Sequence, residues 1–379
     1  MQTSLNLFKN LEWEKHTQSG LINDADAQLV LCFSAKHILA KSGIYQLLKQ
    51  KFPNAQILMG SSSGEIYQDE IKDDTLVAVA IRFNETIFRT ASVNISDFSN
   101  SYDAAKALVK SLPSQDLTSI FVISDGSIVN GSELVKGLND GTQNEVLITG
   151  GLAGDADQFQ STFVGLNAEP TNGVVAAVGF YGSKLIISHG SLGGWEIFGP
   201  EKLVTKSTGN RLFEIDGKPA LDLYKKYLGA DAANLPASAL FFPLSVIIPG
   251  IEQPVVRTIL NIDEPTNSMV FAGDIPIGSK VRFMKANFDK LTAASAGATQ
   301  NTIINENRNP DLVLLVSCVG RKLVLGNRTD EEVEAVQELL GNKTIIAGFY
   351  SYGEISPFND GGPCQLHNQT MTITSFYEL

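Results

Sequence analysis

Three short segments of the chain contain glycines and end in a carboxylate: residues 60–65, 150–155 and 348–354. Glycine allows backbone N–H groups to approach a bound molecule closely, and the carboxylate can accept hydrogen bonds from that molecule. None of the three has the spacing of the dinucleotide-binding or P-loop phosphate motifs, so those two ligand classes are not indicated. Tight turns with capping carboxylates would explain any single segment; for three together, a shared cleft for a small ligand is an equally good explanation.

The chain has four histidines, and two of them are candidates for a site. His189 follows an apolar strand and opens a glycine-rich loop, and His367 lies three residues after Cys364. Zinc is not indicated because no second ligand pair has comparable spacing. The C-x-x-C-H motif of covalently attached haem is absent too. Haem b needs only one axial ligand and an apolar pocket, so the sequence leaves it open.

Motifs of catalysis are scarce. The metalloprotease motif H-E-x-x-H does not occur in the chain. Glu354 and His367 could form an acid–base pair, but a buried ion pair or hydrogen bond explains the same residues. Cys318 or Cys364 could act as a nucleophile only with a histidine within hydrogen-bond reach. We therefore predict that the chain is not an enzyme.

Each glycine segment lies inside a repeated pattern of an apolar strand, a helix, the strand that enters the segment, and a later strand. The first strands of the three copies are apolar runs, at residues 29–34, 119–124 and 311–318. Strand–helix–strand units place both strands in one sheet, with the helix on one face. We predict an α/β fold with mixed sheets built from these repeated units, with the strand after each glycine segment pairing as a hairpin. Residues 183–310 lie outside the repeat, and the two halves of the chain are predicted to pack closely.

Composition limits the classes of partner. The 379 residues include 29 Lys and Arg against 41 Asp and Glu, a formal net charge of −12, so nucleic acid would be repelled. Apolar runs are too short for a membrane span. An N-terminal segment without an apolar core and only three cysteines indicate a protein of the reducing cytoplasm, without membrane insertion.

Several stretches together resemble the FIST family of intracellular signal-transduction sensors. They occur in the family's order: Ile148–Asp155, Val204–Asn210, Glu214–Ala220, Cys318–Arg321, Gly348–Ile355 and Leu366–Thr370. The resemblance implies a FIST N-like sensory half over residues 25–195 and a FIST C-like half over residues 196–379. It also implies a sensor that binds a small ligand and regulates a separate signalling partner.

Residues 191–200 and 222–229 look like one branch of that family, the haem-binding nitric-oxide sensors of the NosP type. This resemblance implies haem b as cofactor, nitric oxide as its ligand, and a histidine kinase or cyclic-di-GMP pathway protein as partner in bacterial two-component signalling. His189 and His367 are the two alternative axial ligands. The oligomeric state, with a homodimer among the options, is left open.

The alternative is a FIST-type module that binds an amino acid or a similar polar small molecule without haem. Loop N–H groups and a carboxylate such as Glu354 would then hold the two ends of a zwitterion. The residues that we predict to bind the ligand are Gly150, Gly151, Gly154, Asp155, Tyr352, Gly353, Glu354, His367 and Asn368.

Overall fold

The computed structural model describes residues 1–20, 22–251, 253–305 and 308–379 of the chain. Within these residues the strands form three six-stranded sheets and a fourth sheet of eight strands. The predicted α/β fold with mixed sheets is confirmed. Each of the three six-stranded sheets is built around one copy of the sequence repeat, and these copies are called units 1, 2 and 3 below.

Unit 1 opens with a hairpin, and its elements are β1 (Gln2–Lys9), β2 (Glu12–Ser19), β3 (Leu29–Ala35), α1 (Lys36–Leu39), α2 (Ile44–Lys51), β4 (Gln56–Ser62), β5 (Glu65–Tyr67), β6 (Glu70–Lys72) and β7 (Leu76–Arg82). Unit 2 consists of β8 (Ile87–Asn94), α3 (Ser101–Lys110), β9 (Leu117–Ser124), α4 (Gly131–Gly141), β10 (Leu147–Leu152), β11 (Val164–Leu166) and β12 (Val174–Tyr181).

Unit 3 begins with β13 (Leu185–Leu192), which is followed by an inserted domain. That domain contains β14 (Glu196–Thr208), β15 (Arg211–Ile215), β16 (Lys218–Pro219), α5 (Ala220–Leu228), β17 (Leu244–Ile247), β18 (Val255–Arg257), β19 (Ile259–Asp263), β20 (Ser268–Phe271) and β21 (Lys280–Lys285). Unit 3 then resumes with α6 (Phe288–Gln300), β22 (Leu312–Cys318), α7 (Val319–Leu325), α8 (Asp330–Leu340), β23 (Ile345–Ser351), β24 (Gly353–Pro357), β25 (Cys364–His367) and β26 (Met371–Glu378).

The three units exchange strands in a cycle. In each unit the first two repeat strands pair in parallel, as β3 does with β4, β9 with β10 and β22 with β23. The strand after each glycine segment then crosses to a neighbouring sheet: β5 pairs with β23, β11 with β4, and β24 with β10. The later strand of each repeat copy does not form the predicted hairpin with the strand that enters the glycine segment: β7, β12 and β26 pair antiparallel with β3, β9 and β22 instead. The glycine segment itself turns the chain into the next sheet.

The register makes the three glycine segments equivalent. The last parallel pairs are Ala35 with Ser62, Ser124 with Leu152, and Cys318 with Ser351. Three residues beyond these pairs lie the three carboxylates Glu65, Asp155 and Glu354. The carboxylates seen in the sequence therefore occupy one repeated position.

Both faces of the repeat strands are buried, so their sequences read as continuous apolar runs. In β3, Leu31 and Phe33 face the central core that the three sheets share, whereas Val30 and Cys32 face the layer under α1 and α2. Phe33 stacks on Phe349 of unit 3 with ring centroids 4.8 Å apart. The inserted domain has a separate core. Among the described residues, each helix is too short or too polar to cross a bilayer.

Gly150 is the glycine whose replacement we expect to damage the fold most clearly. It lies in β10 at φ +140°, and an added Cβ would lie 1.9 Å from the carbonyl oxygen of Val122 in β9. Gly150→Ala should lower the free energy of unfolding by about 3 kcal/mol or more, since overpacking and backbone strain add together. Urea denaturation would measure this change.

Gly341→Ala is the matched control for Gly150→Ala. Gly341 also has a positive φ of +72°, but nothing lies within 4 Å of its added Cβ. It should cost only the backbone strain, about 1–2 kcal/mol. Equal losses for the two variants would contradict the close approach of β9 and β10 at Gly150.

Candidate functional site

The carboxyl ends of the repeat strands from all three units meet at one end of the central core. Lys36 follows β3, Asp155 follows β10, and Tyr352 follows β23. Lys36 Nζ lies 3.1 Å from Asp155 Oδ2, and the Tyr352 hydroxyl donates a hydrogen bond to Asp155 Oδ1. Asp155 therefore ties three units together, which a side chain can do only where their strand ends converge.

Asp155 is 2% exposed and stays ionised. Burial alone would raise the pKa of Asp155, but hydrogen bonds from Tyr352, Ser161, Lys36 and Gln160 outweigh it and lower that pKa. Burial and the neighbouring carboxylate raise the pKa of Tyr352. The phenol consequently remains a hydrogen-bond donor at any physiological pH.

A second lysine, Lys322 of unit 3, bridges units 3 and 1. Lys322 Nζ donates to the carbonyl oxygen of Ser63 at 2.9 Å and forms an ion pair with Asp73. At the junction between units 2 and 3, the residues after β9 are Asp125, Gly126 and Ser127, without a cation. An added Cβ on Gly126 would lie 3.2 Å from the Tyr352 ring. Among the described residues this junction has no counterpart of Lys36 and Lys322; Tyr352 crosses it to Asp155, and a cleft lies beside that contact.

This cleft, called the sensor cleft below, has a volume of about 310 Å³. Unit 2 contributes the loop 126–131, Leu152 and Phe159, unit 3 contributes Tyr352, and the inserted domain contributes the remaining wall. The lining residues from the inserted domain are Asn210, Leu260, Phe271, Ala272, Gly273 and Asp274. Clefts of this size between structural units are the usual place for a small ligand.

The loop that forms the floor of the sensor cleft is held rigidly. Asp125 Oδ1 accepts hydrogen bonds from the N–H groups of Ser127 and Ile128, at 2.6 and 2.9 Å. Asp125 Oδ2 accepts from the N–H of Gly173 at 2.8 Å. At the other end of the loop, Asn130 Oδ1 caps the first turn of α4. The floor is therefore preformed, which reduces the entropy lost on binding.

The rim of the sensor cleft is apolar and exposed. Ile128 is 56% exposed, Phe159 44% and Leu260 43%, and all three line the cleft. The Phe159 ring stacks on Tyr352 with centroids 4.5 Å apart. Large apolar side chains that gather at an opening mark a contact surface for a ligand or partner.

Asp274 places a carboxylate in the lining of the sensor cleft. Within the described part of the chain, its carboxylate accepts no hydrogen bond and lies in no ion pair within 4.0 Å. It is half-buried. A methyl group on Gly209 would lie 3.9 Å from Asp274 Oδ1, so this oxygen faces the turn that precedes Asn210. The cleft can therefore bind a molecule that combines an apolar part with a cationic or hydrogen-bond-donating group.

The glycines that we predict to bind a ligand lie against other parts of the protein. Added Cβ atoms on Gly151 and Gly154 would lie 2.7 Å from Val316 and 2.3 Å from Ser63. The N–H of Gly154 donates to the carbonyl oxygen of Ser61 at 2.9 Å. Gly353 pairs with Leu152 in the exchanged strand. These glycines, like Gly150, permit close approach of strands.

Glu354 is fully buried. Its carboxylate accepts from the Ser351 hydroxyl at 2.8 Å and from the N–H and hydroxyl of Thr370 at 3.2 and 2.8 Å. Glu65 in unit 1 has the same arrangement, with Ser62 and Thr75 as donors. This repetition favours a role inside the fold for Glu354, and its predicted contact with a ligand stays a prediction.

The two candidate axial histidines lie away from the sensor cleft. His367 is 1% exposed, its Nε2 lies 2.9 Å from the carbonyl oxygen of Ser356, and burial lowers its pKa to about 4. Burial also lowers the pKa of His189. Neither ring nitrogen of His189 has a hydrogen-bond partner among the described residues, although its Nε2 lies 3.4 Å from the exposed carboxylate of Asp360.

Asn368, the last predicted ligand residue, is fully buried, and its Nδ2 donates to the carbonyl oxygen of His367 at 3.0 Å. Burial raises the thiol pKa of Cys318 and Cys364, which disfavours either as a nucleophile. Groups of three or more His, Cys, Asp or Glu that could hold a metal are absent from the described residues.

Of the predicted ligand residues, only Tyr352 lines the sensor cleft. Sequence reasoning missed Asn210, Phe159 and Asp274. Asn210 ends the stretch Val204–Asn210, which resembles a family motif, whereas Asp274 lies in a part of the inserted domain without a recognisable pattern. Their common surface comes from the way in which the inserted domain packs on unit 2.

Comparison with known families gives two matches that together cover most of the chain. Residues 28–218 match the FIST N domain, and residues 220–357 match the FIST C domain. FIST domains are signalling-associated sensor domains for small ligands. The haem-binding branch suggested by the sequence is not shown by these matches.

One curated relative is an uncharacterized protein of Methanocaldococcus jannaschii, 27% identical over 322 residues. The match covers 77% of this chain and 59% of that protein. The chain therefore spans less than two thirds of the length of this relative.

Matches among solved structures include two of cyanuric acid hydrolase. The first, from A. caulinodans, is 7% identical with a TM-score of 0.35 and covers 94% of this chain and 91% of its own. The second is 9% identical with a TM-score of 0.33, at 94% and 92% coverage. Because both are enzymes, the prediction that this chain is not an enzyme is contradicted. At this low similarity, neither the reaction nor the substrate transfers to this chain.

Proposed function

The chain belongs to the FIST family, and from this premise we propose that it senses a polar small molecule in the sensor cleft. The observation that carries the proposal is the cleft itself, at the junction between units 2 and 3. Three separate parts of the chain line it: unit 2, Tyr352 of unit 3 and the inserted domain.

The lining indicates the class of ligand. Asp274 offers a carboxylate without a described partner, while Phe159 and Leu260 offer apolar contact at the rim. An amino acid or a similar molecule with one cationic group and a short apolar part satisfies both. Such a ligand would contact Asp274 through its cationic group and the stacked rings through its apolar part.

The position of the cleft suggests how binding would be reported. A ligand that touches both unit 2 and the inserted domain favours the arrangement in which the two are close. The surface of the inserted domain would then present this state to a separate signalling protein. A histidine kinase or a cyclic-di-GMP pathway protein is the partner class that the resemblance to the NosP branch suggests.

The experiment is a thermal-shift screen of amino acids and related polar molecules, followed by calorimetric titration of each hit. Phe159→Ala and Asp274→Asn should each weaken binding at least about 10-fold, a loss on the order of 1.4 kcal/mol. Phe288→Ala and Asp222→Asn are matched controls, because both residues are exposed and neither lines the cleft. Unchanged affinity in both cleft variants would refute the location.

One observation favours haem b as a second candidate. Burial keeps His189 neutral, and both of its ring nitrogens lack a described hydrogen-bond partner, as an axial ligand requires. His189 does not line the sensor cleft, so haem would need a separate site.

An absorption spectrum of protein expressed with haem precursor should show a Soret band that nitric oxide shifts. His189→Ala should abolish it, while the exposed His16→Ala should not; a flat spectrum would exclude this candidate.

A further inference from the structure

A second cavity of about 350 Å³ lies next to the sensor cleft and is called the arginine cavity below. Asp274 lines both, and its N–H lies 3.2 Å from the Ser132 hydroxyl in the first turn of α4, between the two. The other side of the arginine cavity is formed by the inserted domain and by residues near β25. Six of its lining residues are apolar, Val135, Ile248, Ile251, Pro276, Pro363 and Leu366, and the charged ones are Lys136, Asp140, Arg257 and Asp274.

Arg257 is the cationic residue buried in this lining, with 2% of its surface exposed. Among the described residues, its guanidinium donates to three backbone carbonyl oxygens and to no carboxylate. Nη1 lies 2.9 Å from the oxygen of Leu366 and 3.3 Å from that of Val256, and Nε lies 3.3 Å from that of Asp274. The N–H groups of Nη2 have no hydrogen-bond partner among the described residues.

The charge of Arg257 is only partly compensated. Asp274 and Glu354 are near enough to act on its pKa, yet neither forms an ion pair with it within 4.0 Å in the described part of the chain. Burial raises the pKa of Glu354 to about 8, so this group is largely protonated at neutral pH. Burial lowers the pKa of Arg257 only to about 10. The guanidinium therefore stays charged.

A buried charge without a partner is costly, and a partner supplied from outside removes that cost. We propose that the arginine cavity binds a small organic carboxylate, whose oxygens accept from Nη2 of Arg257 and whose apolar body contacts Val135, Ile248 and Leu366. The Ser132 hydroxyl and the Gln365 amide line the same cavity and supply further donors. This site is separate from the sensor cleft, and the inference does not rest on the proposed function.

A carboxylate fits the arginine cavity better than a phosphate does. Nε and Nη1 are already engaged, so Arg257 offers only Nη2, and the carboxylates of Asp140 and Asp274 in the lining would repel a more highly charged anion. A phosphate has more oxygens and a larger charge, and it would need several further donors. The inference therefore predicts binding of short-chain carboxylates, with little binding of inorganic phosphate.

Calorimetric titration of the full chain with butyrate, hexanoate, the matching primary amides and inorganic phosphate tests this inference. The carboxylates should bind saturably, and the amides and phosphate at least about 10-fold more weakly. Arg257→Gln should abolish carboxylate binding, whereas the matched control Arg282→Gln removes an exposed cation and should leave it intact. Equal binding of carboxylate and amide, or binding of phosphate alone, would overturn the inference.

Gln365→Glu keeps the test decisive if Arg257→Gln does not fold. Gln365 is only half-buried, and a carboxylate at this position would repel an anion without removing the guanidinium. We expect at least a 10-fold loss of carboxylate affinity, with Gln300→Glu, an exposed position on α6, as the control. Phe159→Ala should leave carboxylate binding unchanged, so failure of this site and failure of the sensor cleft can be distinguished. Unchanged affinity in Gln365→Glu would count against the arginine cavity.

Discussion

Arg321→Ala is expected to lower the free energy of unfolding by about 3–5 kcal/mol, since it leaves a buried carboxylate without its cation. Arg321 and Glu332 both have fully buried side chains, with Nη2 2.8 Å from Glu332 Oε2. Arg321 also donates to the carbonyl oxygens of Gly193 at 2.6 Å and Leu291 at 2.9 Å. The pair therefore joins the start of α7 to α6, α8 and the end of β13.

Glu332 has two further donors, which fix its position. The Ser317 hydroxyl lies 3.0 Å from Oε1, and the Tyr350 hydroxyl lies 2.7 Å from it. These neutral donors cannot replace the guanidinium charge, and this is the reason for the large expected loss. Chemical denaturation followed by circular dichroism would measure it.

Arg328→Ala is the control for Arg321→Ala. Arg328 forms ion pairs with Glu331 and Asp289, but its side chain is 40% exposed. Exposed pairs contribute about 0–1 kcal/mol. If Arg321→Ala and Arg328→Ala had similar effects, the buried network would not carry the stability assigned to it. An Arg321→Ala variant that fails to accumulate as folded protein, beside a normal Arg328→Ala, agrees with the prediction.

Glu65 of unit 1 and Glu354 of unit 3 are fully buried carboxyl groups at equivalent positions. Burial raises the pKa of each from 4.5 to about 8, against hydrogen bonds from a serine and a threonine that lower it. A raised pKa in the folded state means that the folded protein binds the proton more tightly than the unfolded chain does. Stability is therefore greatest below pH 4.5 for these groups and is lost as the pH rises through 8.

The double variant Glu65→Gln/Glu354→Gln should show a flatter dependence of stability on pH. Glutamine keeps an oxygen for Thr75 or Thr370 and an N–H₂ group for Ser62 or Ser351, without an ionisable proton. In the natural chain each carboxyl should contribute a slope of up to about 1.4 kcal/mol per pH unit between pH 4.5 and 8. The variant should match the natural chain near pH 5 and exceed its stability by several kcal/mol near pH 9.

Unfolding free energies from pH 5 to 9 would test this, with Glu331→Gln as control. Glu331 pairs with Arg328 on the surface, and that pairing lowers its pKa. Replacement of Glu331 should leave the slope between pH 5 and 9 unchanged. A double variant whose stability depends on pH as steeply as that of the natural chain would contradict the raised pKa values of Glu65 and Glu354.

Much of the local architecture follows from the sequence. The apolar runs of β3, β9 and β22 are continuous because both faces of these strands are buried, and such runs indicate central strands without further information. The three glycine segments are visible because close packing excludes every other residue at positions such as Gly150. The sequence also carries the family signatures confirmed at residues 28–218 and 220–357.

The tertiary structure decided where strands and charges meet. The glycine segments are followed by an exchange of β5, β11 and β24 between units, which the sequence did not indicate because local spacing cannot distinguish pairing within one sheet from pairing with a neighbouring sheet. Three equivalent acids then acquired different roles: Glu65 and Glu354 are enclosed by hydroxyl groups, whereas Asp155 meets a lysine and a tyrosine from two other units.

Both cavities arise between parts of the chain that are distant in sequence. Within the described residues Arg257 has no carboxylate in an ion pair with it and Asp274 faces a cleft, because the inserted domain packs against α4, more than a hundred residues earlier in the chain. Sequence patterns report periodicity within an element, but the juxtaposition of two surfaces depends on the summed packing of both cores. By itself, the sequence therefore determined the repeat, the central strands and the family; the position of a ligand emerged only from the assembled fold.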